Sequence, residues 1–488
     1  MDFLDPKKKQ AHLTRLFIGY LLVAIAIAFA SLILLFQSYG YDLDRKTGKV
    51  IQNGLIFVSS HPDAATMYLN GTLNKYHTDA KLTIPAAQYT IDIKKAGYRT
   101  WRRSLTLEGG SIERLIYPLL IPDSLKTTDV QLYGAPPKFV TQSPDHRWLI
   151  VQKTDSLTVF DVYDLTNISQ EPATITLPTD VFTTSTGDVL TSGDWSSDNR
   201  HFLLKHSFAG GLEFILVDRE IPAQTVNESR AVGSSPTHMT LRDGHADQLY
   251  VLAQDRTLSQ YDTKSKQSKV ILTAVDRYVS GGADIIIYSQ SGITAPENTR
   301  VYEWDGSTSY LLRTLPAGSA PQMTMGQLDG DTFVALAPGN DPHVYIYKNP
   351  LNDAKQQKNT VLVPTTILKQ DQTGLLSNSS NGRFVVSQTG NAFAVYDAEA
   401  DRRFYFTIKS AITAGAVAHW MDGFRMSVES NGKIVIFDFD GSNQQTMTAS
   451  NSGFSPFFDK DTTVMYNLAP SVVVPGRSAL TSTSLRVK

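Results

Sequence analysis

The sequence contains no cysteine. It therefore has no disulfide, no thiol nucleophile and no cysteine-ligated metal, and its fold must be held by core burial. An excess of either charge is also missing: 45 Lys and Arg stand against 47 Asp and Glu, a formal net charge of −2. That balance excludes a general nucleic-acid binder, which needs a basic face. No His-Glu-x-x-His, Gly-x-Ser-x-Gly or Gly-x-x-x-x-Gly-Lys-Ser/Thr occurs, so the chemistries that need those spacings lack their residues. The 10 histidines show no compact metal-ligand spacing. His201 and His206 flank one strand but, five positions apart, face opposite sides of it. Asp438 to Asn443 has the look of a calcium loop but no downstream Glu, and reads as a hairpin turn. No metal and no cofactor is expected.

Long apolar runs are missing too, with one exception. Leu16 to Phe36 carries no charge. At about 1.5 Å per residue it matches the roughly 30 Å hydrocarbon core of a bilayer. Lys7, Lys8, Lys9 and Arg15 precede it, and Asp42 and Asp44 lie just after it. That asymmetry predicts a cytoplasmic N-terminus and an extracytoplasmic remainder. Ala28-Phe29-Ala30 looks like a signal-peptidase site, but the apolar run continues past it to Phe36, longer than a cleaved signal needs. The expected organisation is a cytoplasmic tail over 1–15, a transmembrane helix over 16–36 and a linker over 37–53.

From residue 54 onward the chain is rich in short period-two segments and turn residues, the pattern of a mainly β protein. Strands are expected at Leu55–Val58, Thr66–Leu69, Lys81–Ile84, Tyr89–Ile93, Trp101–Leu107 and Ile112–Leu119. Asn70-Gly71 is a hairpin turn. Together they predict a small antiparallel sandwich over 54–122. The frame Gly54-Leu-Ile-Phe-Val-Ser-Ser60, then Pro62-Asp-Ala-Ala65, Met67-Tyr-Leu-Asn-Gly71, Ile84-Pro85, Gln88-Tyr89-Thr90 and Lys94-Lys95-Ala96-Gly97-Tyr98 resembles a PEGA domain. Asp63-Ala64 departs from that family's Glu-Gly, and Ala86-Ala87 from its usual Gly before Tyr. The resemblance implies a β module of bacterial envelope proteins and implies no catalysis. Lys94, Lys95, Arg99, Arg102 and Arg103 crowd near one hairpin end. They form a candidate contact for anionic polymer or lipid headgroups, set against a plain solvated face. Trp101 and Tyr98 are set between sugar stacking and ordinary packing, with packing favoured.

Residues 123–137 read as a second linker, within which Val130–Tyr133 is strand-like. From 138 to 488 one unit recurs: strand, Ser/Asp/Gly turn, apolar strand, turn, and a strand ending in an aromatic and Asp. Its turns fall at Asp145, Asp198, Asp247, Asp284, Asp331, Asn381, Asp422 and Asp461, about 45 residues apart, the size of a β-propeller blade. Eight blades are expected, or seven if the copy near Asp284 is misread. The last copy lacks a fourth strand, which Val130–Tyr133 would supply by closing the ring. The turns Ser143-Pro-Asp-His-Arg147, Trp195-Ser-Ser-Asp198 and Phe437-Asp-Phe-Asp-Gly-Ser442 resemble those of TolB-type propellers.

The expected function is non-catalytic: a membrane-anchored binding or scaffold protein of the cell envelope. Its expected partners are the lipid bilayer and an envelope protein or wall glycan, with no nucleic acid. Two alternatives differ in what they require. A sensor would relay through the helix to a membrane partner. An enzyme acting on glycan or peptide would place carboxylates at the propeller channel, one with a raised pKa.

Overall fold

A computed structural model describes residues 6–43, 48, 50–153, 156–282, 284–292, 298–356, 362–451 and 453–487. Of the charges flanking the apolar run, the side chains of Lys7 and Lys8 and the whole of Asp44 lie outside the described residues. The chain divides into two compact units, 1–124 and 125–488.

The first unit begins with helix α1 (Pro6–Ser38). Within Lys9–Ser38 the apolar stretch reaches a mean hydropathy of 2.7, and none of that stretch is buried against protein. The helix extends past both ends of the apolar run and takes in part of the segment expected to be a tail. The segment expected to be a linker carries structure: β1 (Tyr41–Leu43) pairs with the start of β2 (Val50–Val58), Tyr41 opposite Gln52.

The sandwich is built from β2, β3 (Thr66–Leu69), β4 (Thr72–His77), β5 (Ala80–Pro85), β6 (Ala87–Lys94), β7 (Trp101–Leu107) and β8 (Ile112–Leu115). One sheet is β4-β3-β6-β7; the other joins β1, β2, β5 and β8. Asn70 and Gly71 both have positive φ, 49° and 78°, as a type I′ hairpin between β3 and β4 requires. One pairing departs from the antiparallel expectation. Strand β8 lies parallel to β2, Leu55 opposite Ile112, because the turn after β7 carries the chain across to the other sheet. Ile56, Val58, Met67, Ile91, Ile93 and Trp101 are buried between the layers.

The second unit opens with β9 (Lys126–Tyr133), which occupies most of the second expected linker. Among the described residues, eight four-stranded sheets make up the unit. Seven are consecutive: blades 1 to 7, over 140–176, 189–227, 236–272, 277–315, 322–369, 375–407 and 419–449. Blade 8 takes three strands from 457–484 and its fourth from β9, Tyr133 opposite Ser478 and Lys126 opposite Ser484. Each blade packs on the next. Apolar clusters join blades 1 and 2, 2 and 3, 3 and 4, 4 and 5, 5 and 6, and 8 and 1. Phe384 stacks on Phe439 at 4.1 Å between blades 6 and 7. Asn467 Nδ2 donates to the Ala449 carbonyl at 2.8 Å between blades 7 and 8. The ring is closed, and the unit is a β-propeller.

Burial in a blade results from this packing. Middle strands are covered on both faces by neighbouring blades, so they read as continuous apolar runs, such as Lys433–Asp438 with every residue after Lys433 buried. Outer strands have one wet face and alternate, as Arg402–Thr407 does.

Candidate functional site

The five cations singled out in the sandwich do not form one surface. Strands β6 and β7 pair with Asp92 opposite Arg102 and Ile91 opposite Arg103, so the two arginines point to opposite faces. Arg102 Nε lies 2.6 Å from Asp92 Oδ1, and its Nη2 lies 2.9 Å from Oδ2. This bidentate pair holds the Asp92 carboxyl below the usual carboxylate range. Arg103 turns inward and donates to the Tyr117 hydroxyl. Lys94 Nζ stands 4.6 Å from the centre of the Tyr68 ring. Lys95 Nζ donates to the Asp63 carbonyl at 2.6 Å. The Arg99 backbone N–H donates to the Ile121 carbonyl at 2.8 Å, fixing the chain next to Tyr98. Within the two strands, Lys94 and Arg102 share the outer face. Trp101 is 2% exposed and meets Tyr117 edge-on at 5.9 Å, so it is a core residue and offers no stacking platform.

In the propeller, first strands of neighbouring blades touch one another and line the axis. Thr141 Oγ1 and Ser192 Oγ are 2.7 Å apart. Leu241 N donates to Asp194 Oδ2 at 2.9 Å. Thr240 Oγ1 meets the Tyr278 hydroxyl at 2.9 Å, Asn378 Nδ2 donates to Thr324 Oγ1 at 3.0 Å, and Gln142 Nε2 donates to the Phe458 carbonyl at 2.7 Å. Thr, Ser, Gln and Gly recur along these strands, and one carboxylate stands among the described first-strand residues, Asp194. Solvent reaches Asp194, yet the surrounding walls strip water from its carboxyl and raise its pKa, while the Leu241 N–H works against the rise. The same crowding lowers the pKa of His238, helped by Lys205, and that of His419. Glycoside cleavage by the usual route needs two facing carboxylates. The described first strands bring one to the axis.

Sequence reasoning missed a buried polar network in blade 2. His206 is fully buried between two carboxylates, its Nε2 2.9 Å from Asp188 Oδ1 and its Nδ1 2.9 Å from Glu213 Oε1. Glu213 also accepts from Thr183 N at 2.7 Å and Asn227 Nδ2 at 2.8 Å. Phe182 and Phe208 flank the imidazole at 5.3 and 5.0 Å. The period-two pattern around His206 gave its direction, but Asp188 lies in a loop and Glu213 stands opposite on the next strand, a pairing that no pattern marks. His201, on the other side of the strand, faces Asp218 at 3.4 Å. Among the described residues no group of three His, Asp or Glu side chains is arranged to hold a metal ion. Asp438 to Asn443 forms a turn: Gly441 N donates to the Asp438 carbonyl at 2.8 Å and Asn443 Nδ2 to Asp438 Oδ2 at 2.8 Å.

Residues 53–119 match the PEGA domain family. No curated protein matches the chain. Among solved structures, the β-propeller domain of Cps50 (Swd1) from Myceliophteria thermophila is 10% identical, with a TM-score of 0.40, covering 74% of this chain and 100% of its own. The Dos1 propeller is 15% identical, with a TM-score of 0.47, over 74% and 95%. An oligogalacturonate lyase from Vibrio parahaemolyticus is 10% identical, with a TM-score of 0.39, over 74% and 97%. The chain thus carries a PEGA domain over residues 53–119, and its second unit is a β-propeller.

Proposed function

We propose that this chain is a non-catalytic, membrane-anchored binding or scaffold protein, with its PEGA domain and propeller outside the cytoplasm at the cell envelope. The observation that carries the reading is α1. A helix whose apolar stretch is nowhere buried against protein needs an apolar solvent, and a bilayer supplies one. The two β modules then work on a short leash at that membrane. A closed propeller offers rigid loop faces suited to an envelope protein or a wall glycan. The single carboxylate on the described first strands favours binding over glycan cleavage.

The internal contacts of Lys94, Lys95, Arg102 and Arg103 favour the propeller over the basic side chains as the partner-binding surface. Co-sedimentation of the detergent-solubilised full chain with purified cell-wall sacculi, from low to high salt, tests the glycan partner. Binding that survives Lys94→Gln with Lys95→Gln supports a propeller contact with the wall. Binding lost with salt and with those two changes makes the PEGA domain the wall-contacting module. Absence of binding removes the wall glycan and leaves a protein partner.

A further inference from the structure

Helix α1 ends at a cavity. Its last residues, Gln37 and Ser38, and the start of β1 form one wall of a cleft of about 640 Å³, and residues of β2, β5 and β8 form the other. The helix end is tied to this sheet. Asn53 N donates to the Gly40 carbonyl at 2.7 Å, and Gln52 Nε2 donates to the Tyr39 carbonyl at 3.2 Å. The Phe36 and Tyr41 rings stack at 5.0 Å. Phe36 is the last residue of the apolar run, so the cleft begins where that run stops.

Strand register sets two rows of side chains across the outer face of the sheet. Lys81 on β5, Phe57 on β2 and Arg114 on β8 stand opposite one another, and so do Thr83, Leu55 and Ile112. Opposed residues share a face, and the alternate residues Ile56 and Val58 are buried on the inner one. The Leu55 row is the nearer to the helix end, because Gln52 and Asn53 hold that end on the same strand. Lys81 Nζ stands 5.9 Å from the centre of the Phe57 ring. Lys81 and Arg114 are exposed, and no carboxylate among the described residues pairs with either. In the other sheet, by contrast, Asp92 holds Arg102. The one carboxylate on the cleft wall, Asp42, accepts from the Leu43 N–H at 2.8 Å. Ile112 is 57% exposed.

Two cations without a counter-charge, above an uncovered apolar row, complement an amphiphile with a negative head. A wall polymer would satisfy the cations and leave Leu55 and Ile112 wet. A phospholipid satisfies both rows, and it is present wherever a membrane helix leaves the hydrocarbon. We propose that this face of the PEGA domain binds the headgroup of an anionic phospholipid, with the phosphate between Lys81 and Arg114 above Phe57 and the glycerol esters against Leu55 and Ile112. The order of the rows fits, since the apolar one lies toward the helix. The proposal rests on the reading of α1 as a bilayer anchor.

Photocrosslinking of the full chain in vesicles of equal parts phosphatidylcholine and phosphatidylglycerol tests it. A benzophenone side chain replaces Thr83, on the cleft wall, or Leu73, which is 62% exposed on β4 of the other sheet. The Thr83 position is expected to yield lipid adducts enriched in phosphatidylglycerol, and the Leu73 position few. Lys81→Gln with Arg114→Gln, both at exposed sites, is expected to leave the melting temperature unchanged and to reduce the phosphatidylglycerol adduct at least about fivefold. Equal yields of the two lipids, a yield untouched by the two substitutions, or no lipid adduct at Thr83 overturns the proposal. Carbonate extraction of the same vesicles separates it from the anchor. A chain that stays in the membrane yet gives no adduct sinks the headgroup site alone, and a chain that is released sinks the anchor and the site together.

Discussion

At the residue scale the turns between first and second strands repeat one small device. Ser143, Asp145, His146 and Arg147 in blade 1 correspond to Ser196, Asp198, Asn199 and Arg200 in blade 2, and to Ser379, Asn381, Gly382 and Arg383 in blade 6. The Asp or Asn side chain accepts the N–H two residues on, the next residue is left-handed, and the Arg closes on the Asp at or just beyond the end of the third strand. Those last pairs are Arg147 with Asp164, Arg200 with Asp218 and Arg383 with Asp397, at 2.7, 2.5 and 2.6 Å. Gly382 is needed twice over. Its φ is 71°, and a Cβ there would lie 1.8 Å from the Gln327 carbonyl oxygen. Gly382→Ala is expected to cost roughly 2–4 kcal/mol, while His146→Gly, at a φ of 60°, stays within about 1 kcal/mol of the parent. Urea denaturation of the full chain, monitored by tryptophan fluorescence, reads both. A second prediction concerns Glu303, which is 2% exposed, has an Oε2 without a hydrogen-bond partner among the described residues and is pushed up to about 7 by burial, with Lys355 opposing. Its folded pKa lies above the unfolded one, so folding is penalised as pH rises from about 4 to 7. Glu303→Gln removes that penalty. It is expected to stabilise the protein by about 1–3 kcal/mol near pH 8 and by almost nothing near pH 4. Denaturation midpoints at the two pH values check this.

At the scale of elements the ring depends on β9. Its pairing with the last strand joins residues more than 340 positions apart, and the Tyr133 and Tyr163 hydroxyls, 2.7 Å apart, tie it to blade 1. Thr128 and Ser482 are directly opposite, with hydroxyls 2.9 Å apart. The parent has no cysteine to interfere. Thr128→Cys with Ser482→Cys is therefore expected to crosslink under oxidation and to raise stability by roughly 2–5 kcal/mol, read as a denaturation midpoint that falls back on reduction. Much of this level was legible. The repeating turn residues marked the blades, and Val130–Tyr133 was recognisable as a strand because the last copy lacked one. Other features were not. Strand β4 was missed because Thr72 to His77 is largely exposed and has no apolar alternation. The parallel β8 was hidden because period two fixes which face a residue takes and says nothing of strand direction. The five basic residues looked like one patch because nearness in sequence hides the reversal of side between neighbours on a strand.

For the whole molecule the account joins an apolar helix to two β modules and assigns binding to them at a membrane. Sidedness is its most exposed claim, and the absence of cysteine makes it directly measurable. Leu13 and Val473 are 57% and 72% exposed, so single cysteines there are accessible to reagent. Labelling of Leu13→Cys and Val473→Cys with a membrane-impermeant maleimide, in intact and in permeabilised cells, is the decisive measurement. Val473→Cys is expected to react in intact cells, and Leu13→Cys only after permeabilisation. Protection of Val473→Cys in intact cells, or labelling of Leu13→Cys there, would contradict it.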